Sequence, residues 1–405
     1  MQEIQHEKSR SYSKERENYM VKLADKSICT GCALCHDVCT TGAITMSENE
    51  DGFKYPIIDD TKCIKCRKCQ KKCPVINDNE FHESKNALYG RLVDDIERNS
   101  SGGLCKALSK AVMLDSGVVF GAVLLHDEVV HLKATDDDEY TAMCGSKYLQ
   151  SNMEGVYNQI AEELNNKHNK VLFIGCPCQC AAVDINFKSK RNYENLYVCE
   201  ILCHGVPSPG IFKDWIRFLE KKYNSNVVNY YFRSKKNGWS KPSIEIVFEN
   251  GKRIFQTHNE SYYHMWFGKH LSMRKSCYKC KYRNIKRVAD VTVGDFWGIK
   301  NLDVADNDIE KGTSVLLINT DKGQRLLDLA KEVNNVFLKE ISVDDAYINN
   351  TPSLSNFSIP EEREKFFATY KVDRIEGIIK KYPAENKVIS LLRKIKHTVK
   401  LTKKE

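Results

Sequence analysis

Residues 29–39, CTGCALCHDVC, and residues 63–73, CIKCRKCQKKC, repeat one spacing, Cys-x2-Cys-x2-Cys-x3-Cys, 34 positions apart. Each set follows an aspartate, Asp25 or Asp59, four residues upstream. Three closely spaced thiolates can wrap one face of a 4Fe-4S cubane while the fourth turns away to a neighbouring cluster. The spacing therefore predicts one cluster on Cys29, Cys32, Cys35 and Cys73, and a second on Cys63, Cys66, Cys69 and Cys39. Zinc is the competing reading, but its structural sites typically pair two C-x2-C knuckles rather than a three-plus-one array. Between the sets, Ala43–Met46 and Phe53–Ile58 predict two short strands joined by the polar turn SENEDG.

Over about fifty residues this segment resembles the bacterial two-cluster ferredoxins. The proline that usually follows the fourth cysteine is present as Pro74 and replaced by Thr40 after Cys39. Proline supplies no ligand and shapes only the exit of the chain, so the departure leaves the cluster reading intact.

The bulk composition agrees with an internal metal protein. The chain has 405 residues, enough for about two to three domains, and 17 cysteines, an odd count that argues against a closed disulfide framework. No stretch approaches the ~18 consecutive apolar residues of a membrane span, and the charged N-terminus lacks a signal peptide's apolar segment. Residues 1–20 read as a disordered leader, and the expected localisation is cytoplasmic. The formal net charge of +8 invites a nucleic-acid partner. Ligating thiols are deprotonated, so a cluster on four thiolates carries about −2, and three clusters would bring +8 to about +2. A metal-knuckle nucleic-acid-binding protein is the alternative of another class; with no groove-reading or single-strand-binding motif, no nucleic-acid partner is expected.

Beyond the polar stretch Asn77–Lys85, read as a linker, the pattern mixes helix and strand. Ser100-Ser101-Gly102-Gly103 opens a helix through Leu114. Val118–Leu125 and Val129–Thr135 predict a hairpin turning at His126-Asp127. Met153, Val156, Tyr157, Ile160 and Leu164 keep helical spacing, and Val171–Ile174 and Leu196–Leu202 predict strands. Pro209–Tyr223 predicts a helix with proline near its start. Ser243–Phe248 and Lys252–Thr257 flank the hairpin signal Asn250-Gly251. Val291–Val293 and Val315–Asn319 add strands, and Lys322–Val333 a helix. The tail is basic and helical from about Phe366, with an apolar stripe at Val388, Leu391, Leu392, Ile395 and Val399. Docking on the body is the favoured reading of that stripe over peripheral membrane contact through the basic helix. The expected fold class is α+β: a mixed α/β body with an N-terminal bacterial-ferredoxin-like two-cluster domain and a C-terminal helical tail. The expected boundaries are 1–20 leader, 21–80 ferredoxin domain, 87–340 oxidoreductase body and 341–405 tail.

Seven segments of the body are distinctive together: SSGG (Ser100–Gly103), GSKYLQS (Gly145–Ser151), GCPCQCAA (Gly175–Ala182), CHGVPSP (Cys203–Pro209), FRSKKNGW (Phe232–Trp239), CYKCKY (Cys277–Tyr282) and ADVTVGDFWG (Ala289–Gly298). In this order they resemble the beta subunit of coenzyme F-420 hydrogenases and dehydrogenases, from about Tyr89 to Gly298. The resemblance implies FAD, one further 4Fe-4S cluster and redox exchange with a diffusible substrate at the flavin. That substrate is coenzyme F-420 in the best-known relatives, and sulfite or a chlorophyll derivative in others. The implied function is an iron–sulfur flavoprotein oxidoreductase working between a redox protein donor such as ferredoxin and a small-molecule acceptor. A reductase of a non-F-420 bacterial metabolite or lipid-linked intermediate is the alternative.

Spacing supports part of this. Cys277 and Cys280 form a C-x2-C knuckle, Cys178 follows a strand at a turn and Cys203 ends another strand; these four are the expected ligands of the third cluster, with zinc again the competitor. Cys176 and Cys180 flank Cys178, and spacing alone leaves the choice open; the resemblance assigns the cysteine directly before Gln179. Those two, with Cys105, Cys144 and Cys199, read as core cysteines. For the flavin, Ser100, Ser101, Gly102 and Gly103 at a helix start offer amides to a phosphate. Gly145, Ser146, Lys147 and Tyr148 form a second loop whose lysine can stabilise negative charge on the ring. Lys147 and His204 are the catalytic candidates, His204 read first as a residue that orients its neighbouring ligand. Asp290 and Asp295 mark the ends of a strand. No G-x-G-x-x-G follows a strand, so nothing supports a Rossmann-type site.

Overall fold

A computed structural model describes residues 21–94, 99–166, 169–190, 192–301, 309–350 and 353–384. The leader at 1–20 and the apolar stripe from Val388 to Val399 lie outside the described residues. Thirteen strands are described, β1–β13 in chain order. β1 (Ile44–Glu48) and β2 (Lys54–Ile58) form the antiparallel pair between the two cysteine sets, with Ile44 opposite Ile58.

Eight strands build the central sheet in the order β13-β3-β12-β11-β7-β6-β4-β5. Its middle is parallel: β4 (Val118–Leu125), β6 (Val171–Gly175), β7 (Leu196–Ile201) and β11 (Val291–Asp295). β5 (Glu128–Ala134) closes one edge as the expected hairpin, while β12 (Ser314–Ile318), β3 (Asn86–Leu92) and β13 (Val336–Ile341) extend the other antiparallel. Alternation along the buried strands sends successive side chains to opposite faces. Val119, Leu172, Tyr197 and Val291 pack against helices Leu104–Leu114 and Asp321–Val333. Phe120, Phe173 and Val198 pack against helices Val156–Asn165 and Pro177–Phe187.

The second of these cores also takes in Ala33, Leu34, Val38 and Ile44, so the ferredoxin-like segment and the body share one apolar interior. A further core joins Phe53 and Tyr55 to helix Pro209–Tyr223, to the small sheet β10-β9-β8 (β8 Val227–Ser234, β9 Ser243–Phe248, β10 Arg253–Gln256), and to the tail helix Glu362–Lys381 through Phe366, Phe367 and Tyr370. The stretch Asn77–Lys85, expected as a free linker, is fastened down instead. The backbones of His82 and Arg287 exchange two hydrogen bonds, at 2.7 and 2.9 Å, and Ser84 Oγ donates to Asn319 Oδ1 at 2.8 Å. β3, β8 and β13 have no counterpart in the sequence reading. β3 was hidden beside the polar stretch, and what makes it a strand is the pair of neighbours between which it lies. Among the described residues no helix is long and apolar enough to cross a membrane.

Candidate functional site

Each N-terminal cysteine set is shaped by the same local devices. Asp25 Oδ1 accepts from the amide and hydroxyl of Ser27 (2.7 and 2.5 Å), and Asp59 Oδ1 does the same with Thr61 (3.0 and 2.6 Å). Each aspartate's carbonyl then accepts the amide of Cys29 or Cys63. A left-handed residue, Ala33 (φ 61°) or Arg67 (φ 59°), turns the chain into one helical turn, Leu34–Asp37 or Lys68–Lys71. The fourth cysteine of each set crosses to the other. Cys32 feels the thiols of Cys29 and Cys73, whereas Cys69 feels those of Cys66 and Cys39. Burial drives the Cys32 thiol up to about 12 and raises Cys35, Cys69 and Cys73. At Cys39 burial also acts upward, but bonds from the Thr41 hydroxyl and the amides of Ala43, Thr41 and Ile44 prevail and lower it. Amides aimed at buried sulfurs, with thiols as the donor set, fit iron–sulfur ligation, in which the metal takes the place of the proton.

The body supplies another such group from segments distant in sequence. Cys178 stands in the first turn of helix Pro177–Phe187, Cys203 follows β7, and Cys277 and Cys280 come from the turn beginning at Lys275. Cys178 feels Cys280, Cys203 and Cys277, then Cys32 of the first set. Burial raises Cys178 and Cys280 and takes Cys277 to about 12. Cys180 turns away, its thiol donating to the carbonyls of Gly175 and Cys199 at 3.6 Å. Cys176 hydrogen-bonds Cys203 through their thiols, which lowers Cys203 and raises Cys176.

Two tyrosines and an arginine of the body close the space between the first set and the body set. Tyr157 Oη donates to Cys32 O at 2.8 Å, and Tyr282 Oη to Pro74 O at 3.0 Å. Arg274, fully buried, gives Nε to Cys29 O (2.8 Å), Nη1 to Gln150 Oε1 (3.0 Å) and Nη2 to Lys54 O (3.1 Å), with its guanidinium 4.2 Å from the Tyr55 ring centroid. Asp37 caps the helix at Val156, accepting from Gly155 N (2.9 Å) and Tyr157 N (3.2 Å).

A cavity of about 490 Å³ opens at the carboxyl ends of β6 and β7, where ligands commonly bind in parallel sheets. Ser100, Ser101, Gly103, Gly145, Ser146, Lys147, Tyr148, Cys203 and His204 all line it. Its size lies within the ~300–1,000 Å³ of cofactor pockets. The two loops are tied by Ser146 N donating to Ser100 Oγ at 2.5 Å. Gly103 (φ 80°) caps helix Leu104–Leu114, whose amides begin at the cavity, so an anion fits there. Gly102 departs from the expectation: it is packed against the sheet. A Cβ there would lie 2.4 Å from Gly90 O and 2.6 Å from Ser314 N, which makes it a packing glycine. Lys147 is also spent differently. Its ammonium donates to the carbonyls of Ala142, Met143 and Cys144 (3.0, 2.6 and 2.9 Å), and burial lowers it to about 8. His204 pairs its Nε2 with that of His270 at 2.8 Å, and burial lowers it to about 4. Asp290 is structural, accepting from Val198 N (2.9 Å) and Thr320 Oγ1 (2.6 Å).

Residues 168–344 match the family model for the C-terminal part of the coenzyme F420 hydrogenase/dehydrogenase beta subunit. Residues 28–77 and 55–105 match two models of a 4Fe-4S dicluster domain. Over that first stretch, less than half of its length, the chain is similar to the coenzyme F420 hydrogenase/dehydrogenase beta-subunit family. Coenzyme F420-dependent sulfite reductase of Methanocaldococcus jannaschii is 24% identical over 333 residues, covering 79% of this chain and 48% of that protein. The chain therefore spans about half the length of that relative. An uncharacterized ferredoxin of the same organism is 32% identical over 71 residues, 16% of this chain and 91% of that protein. A chain of the F420-reducing [NiFe] hydrogenase complex from Methanosarcina barkeri aligns with TM-score 0.46 at 15% identity, over 74% of this chain and 92% of that one.

The span matched by the F420 hydrogenase/dehydrogenase beta-subunit model holds Cys178, Cys203, Cys277 and Cys280, while the SSGG and GSKY loops precede it. The sequence reading missed several cavity residues. His131 stacks on Phe173 (5.3 Å), gives Nε2 to Ile174 O (3.0 Å) and leaves Nδ1 buried and without a partner among the described residues. A histidine at an inward position of a predicted strand was the available signal. Asp295 also lines the cavity, ion-paired with buried Arg233, whose guanidinium sits 4.9 Å from the Trp297 ring centroid. Cys105, Cys144 and Cys176 line it too, rather than filling the core, and Cys105 hydrogen-bonds Cys199.

Proposed function

We propose that this chain is an iron–sulfur flavoprotein oxidoreductase that passes electrons between a ferredoxin-type donor and FAD to reduce or oxidise a diffusible substrate. Three 4Fe-4S clusters are assigned: the crossed N-terminal pair, and a third on Cys178, Cys203, Cys277 and Cys280. The observation that carries this reading is the position of the body set. Cys203 lines the cavity, and Cys178 of the same set adjoins Cys32 of the N-terminal pair. FAD, when bound, accepts electrons singly and delivers them in pairs, which suits a protein with one-electron centres on one side and a small molecule on the other.

The chain's own residues would do the rest. The helix end at Gly103 and the hydroxyl of Ser100 would hold phosphate, while Ser101 Oγ donates to Thr313 O at 2.9 Å and borders the site. The loop Gly145–Tyr148 would border the ring, with Lys147 lending charge through space because its donors are engaged. The His204–His270 pair is a proton-holding couple at the cavity wall. Residues 21–80 would act as the electron port, 87–340 as the flavin-bearing body and 341–405 as the tail, whose helix Glu362–Lys381 buttresses that body, all in the cytoplasm.

The names of the relatives make coenzyme F420 the substrate to test first, with a non-F420 acceptor as the alternative. The decisive experiment is a cofactor inventory on anaerobically purified protein, followed by titration with a protein donor. About 12 iron and 12 sulfide with one FAD per chain, and flavin reduced by ferredoxin, is the expected result. Eight iron with one zinc, or no flavin, would overturn it.

A further inference from the structure

The two cysteine loops repeat one another in backbone but not in surroundings. In the first, Ala33, Leu34 and Val38 are buried against the body and Asp37 is the only full charge. In the second, eleven residues from Lys62 to Lys72 carry Lys62, Lys65, Arg67, Lys68, Lys71 and Lys72. All but Lys72 are exposed, as is Cys66. Ile64 stands 67% exposed among them. Lys188 and Lys190, at the end of helix Pro177–Phe187, extend the patch: their charge, with that of Lys68, acts on Lys72 next after its partial burial. The first loop manages without any lysine or arginine, so the cysteine fold does not require these cations. A cluster held there would contribute about −2, which six local cations exceed.

We infer that the loop Lys62–Lys72 is a docking surface for a small acidic one-electron carrier protein, which meets the chain at the Cys63–Cys66–Cys69–Cys39 set. The inference rests on the electron-transfer reading above and names the partner for it. Excess positive charge around an exposed edge steers an acidic protein and fixes its orientation. Ile64 supplies an apolar contact inside the charged ring, and Cys66 sits where close approach is open. The second set is the only N-terminal one so exposed among the described residues; the first adjoins the body set. A carrier docked here would stand at the far end of the line from the cavity.

The test is stopped-flow reduction of the full holoprotein by an acidic ferredoxin across ionic strength. Steered association reaches ~10⁸–10⁹ M⁻¹s⁻¹ at low salt against ~10⁵–10⁶ without steering. The wild-type rate should fall steeply with salt, a measurement that needs no variant. Lys65→Glu, Lys68→Glu and Lys71→Glu together should slow the low-salt rate roughly 10- to 100-fold and flatten the salt dependence. Iron content and reduction by a small uncharged reductant should stay unchanged. A charge-reversed protein that keeps both the wild-type rate and its salt dependence overturns the surface and leaves the electron-transfer reading standing. A wild-type protein reduced by the uncharged reductant but by no protein carrier overturns both. Salt-dependent binding of an oligonucleotide, lost on charge reversal while the ferredoxin rate persists, assigns the patch to a polyanion and likewise overturns the proposal.

Discussion

The N-terminal cysteine sets and the body set are built by opposite routes. Each N-terminal set takes three of its four cysteines from seven consecutive residues and borrows the fourth from its repeat. Its geometry is local: an aspartate turn, a left-handed residue and one helical turn. The body set draws on three segments, at Cys178, Cys203 and Cys277–Cys280, and exists only once β6 and β7 lie side by side. The first kind of site tolerates changes in its surroundings; the second depends on the whole sheet. Between them lies a joint made of Arg274, Tyr157 and Tyr282, all from the body.

The largest expected effect breaks the body set. Cys178→Ser should lower iron from about 12 to about 8 per chain and abolish flavin reduction by a protein donor, while Cys176→Ser should keep all the iron. Equal iron loss from the two variants would mean that Cys176 shares the ligation. Next comes the joint. Arg274→Met leaves the buried Cys29 O and the part-buried Gln150 Oε1 and Lys54 O without their donor, at about 1–3 kcal/mol for the buried carbonyl and less for the others, so denaturant unfolding should show a loss of at least about 2 kcal/mol. Lys65→Met, in the exposed loop, should stay within about 0.5 kcal/mol. If both cost the same, the two loops do not differ in burial. Tyr282→Phe removes one buried hydrogen bond at the same joint and should cost about 1 kcal/mol in the same measurement.

An effect as small as that of Tyr282→Phe concerns pH. Burial holds Lys147 near 8, below its ordinary value of 10.5. Between these values the unfolded chain binds the proton more readily than the folded one, so the stability of the folded state rises with pH through that window. Below about 8 the full penalty for a buried charge applies. Relative to Lys147→Met, the wild-type protein should therefore gain about 1 kcal/mol between pH 7 and pH 9. A flat difference would mean that the three carbonyls around Nζ fully compensate its burial.

Much of the chain was legible without tertiary information because the signals are short-range. Cysteine spacing marked the 4Fe-4S dicluster segment, helical periodicity found Val156–Asn165, proline near its start marked Pro209–Tyr223, and Asn250-Gly251 marked the β9–β10 hairpin. What sequence left open is what non-local packing decides. Three cysteines two residues apart, Cys176, Cys178 and Cys180, take three different directions because the turn from β6 into its helix sends Cys178 among the body thiols, Cys176 to the cavity with the Cys203 thiol as its partner, and Cys180 to backbone carbonyls. Gly102 and Gly103 read alike in SSGG, yet one is pressed on β3 and β12 while the other opens a helix. Lys147 looked like a ligand contact until the end of helix Asp137–Met143 placed three carbonyls around it. β3 became a strand only through β12 and β13 on either side. Spacing sets what a loop can hold, because ligands within a few residues share one local geometry. Which side chains face one another across the sheet depends on strand order, and strand order is a property of the whole chain's burial.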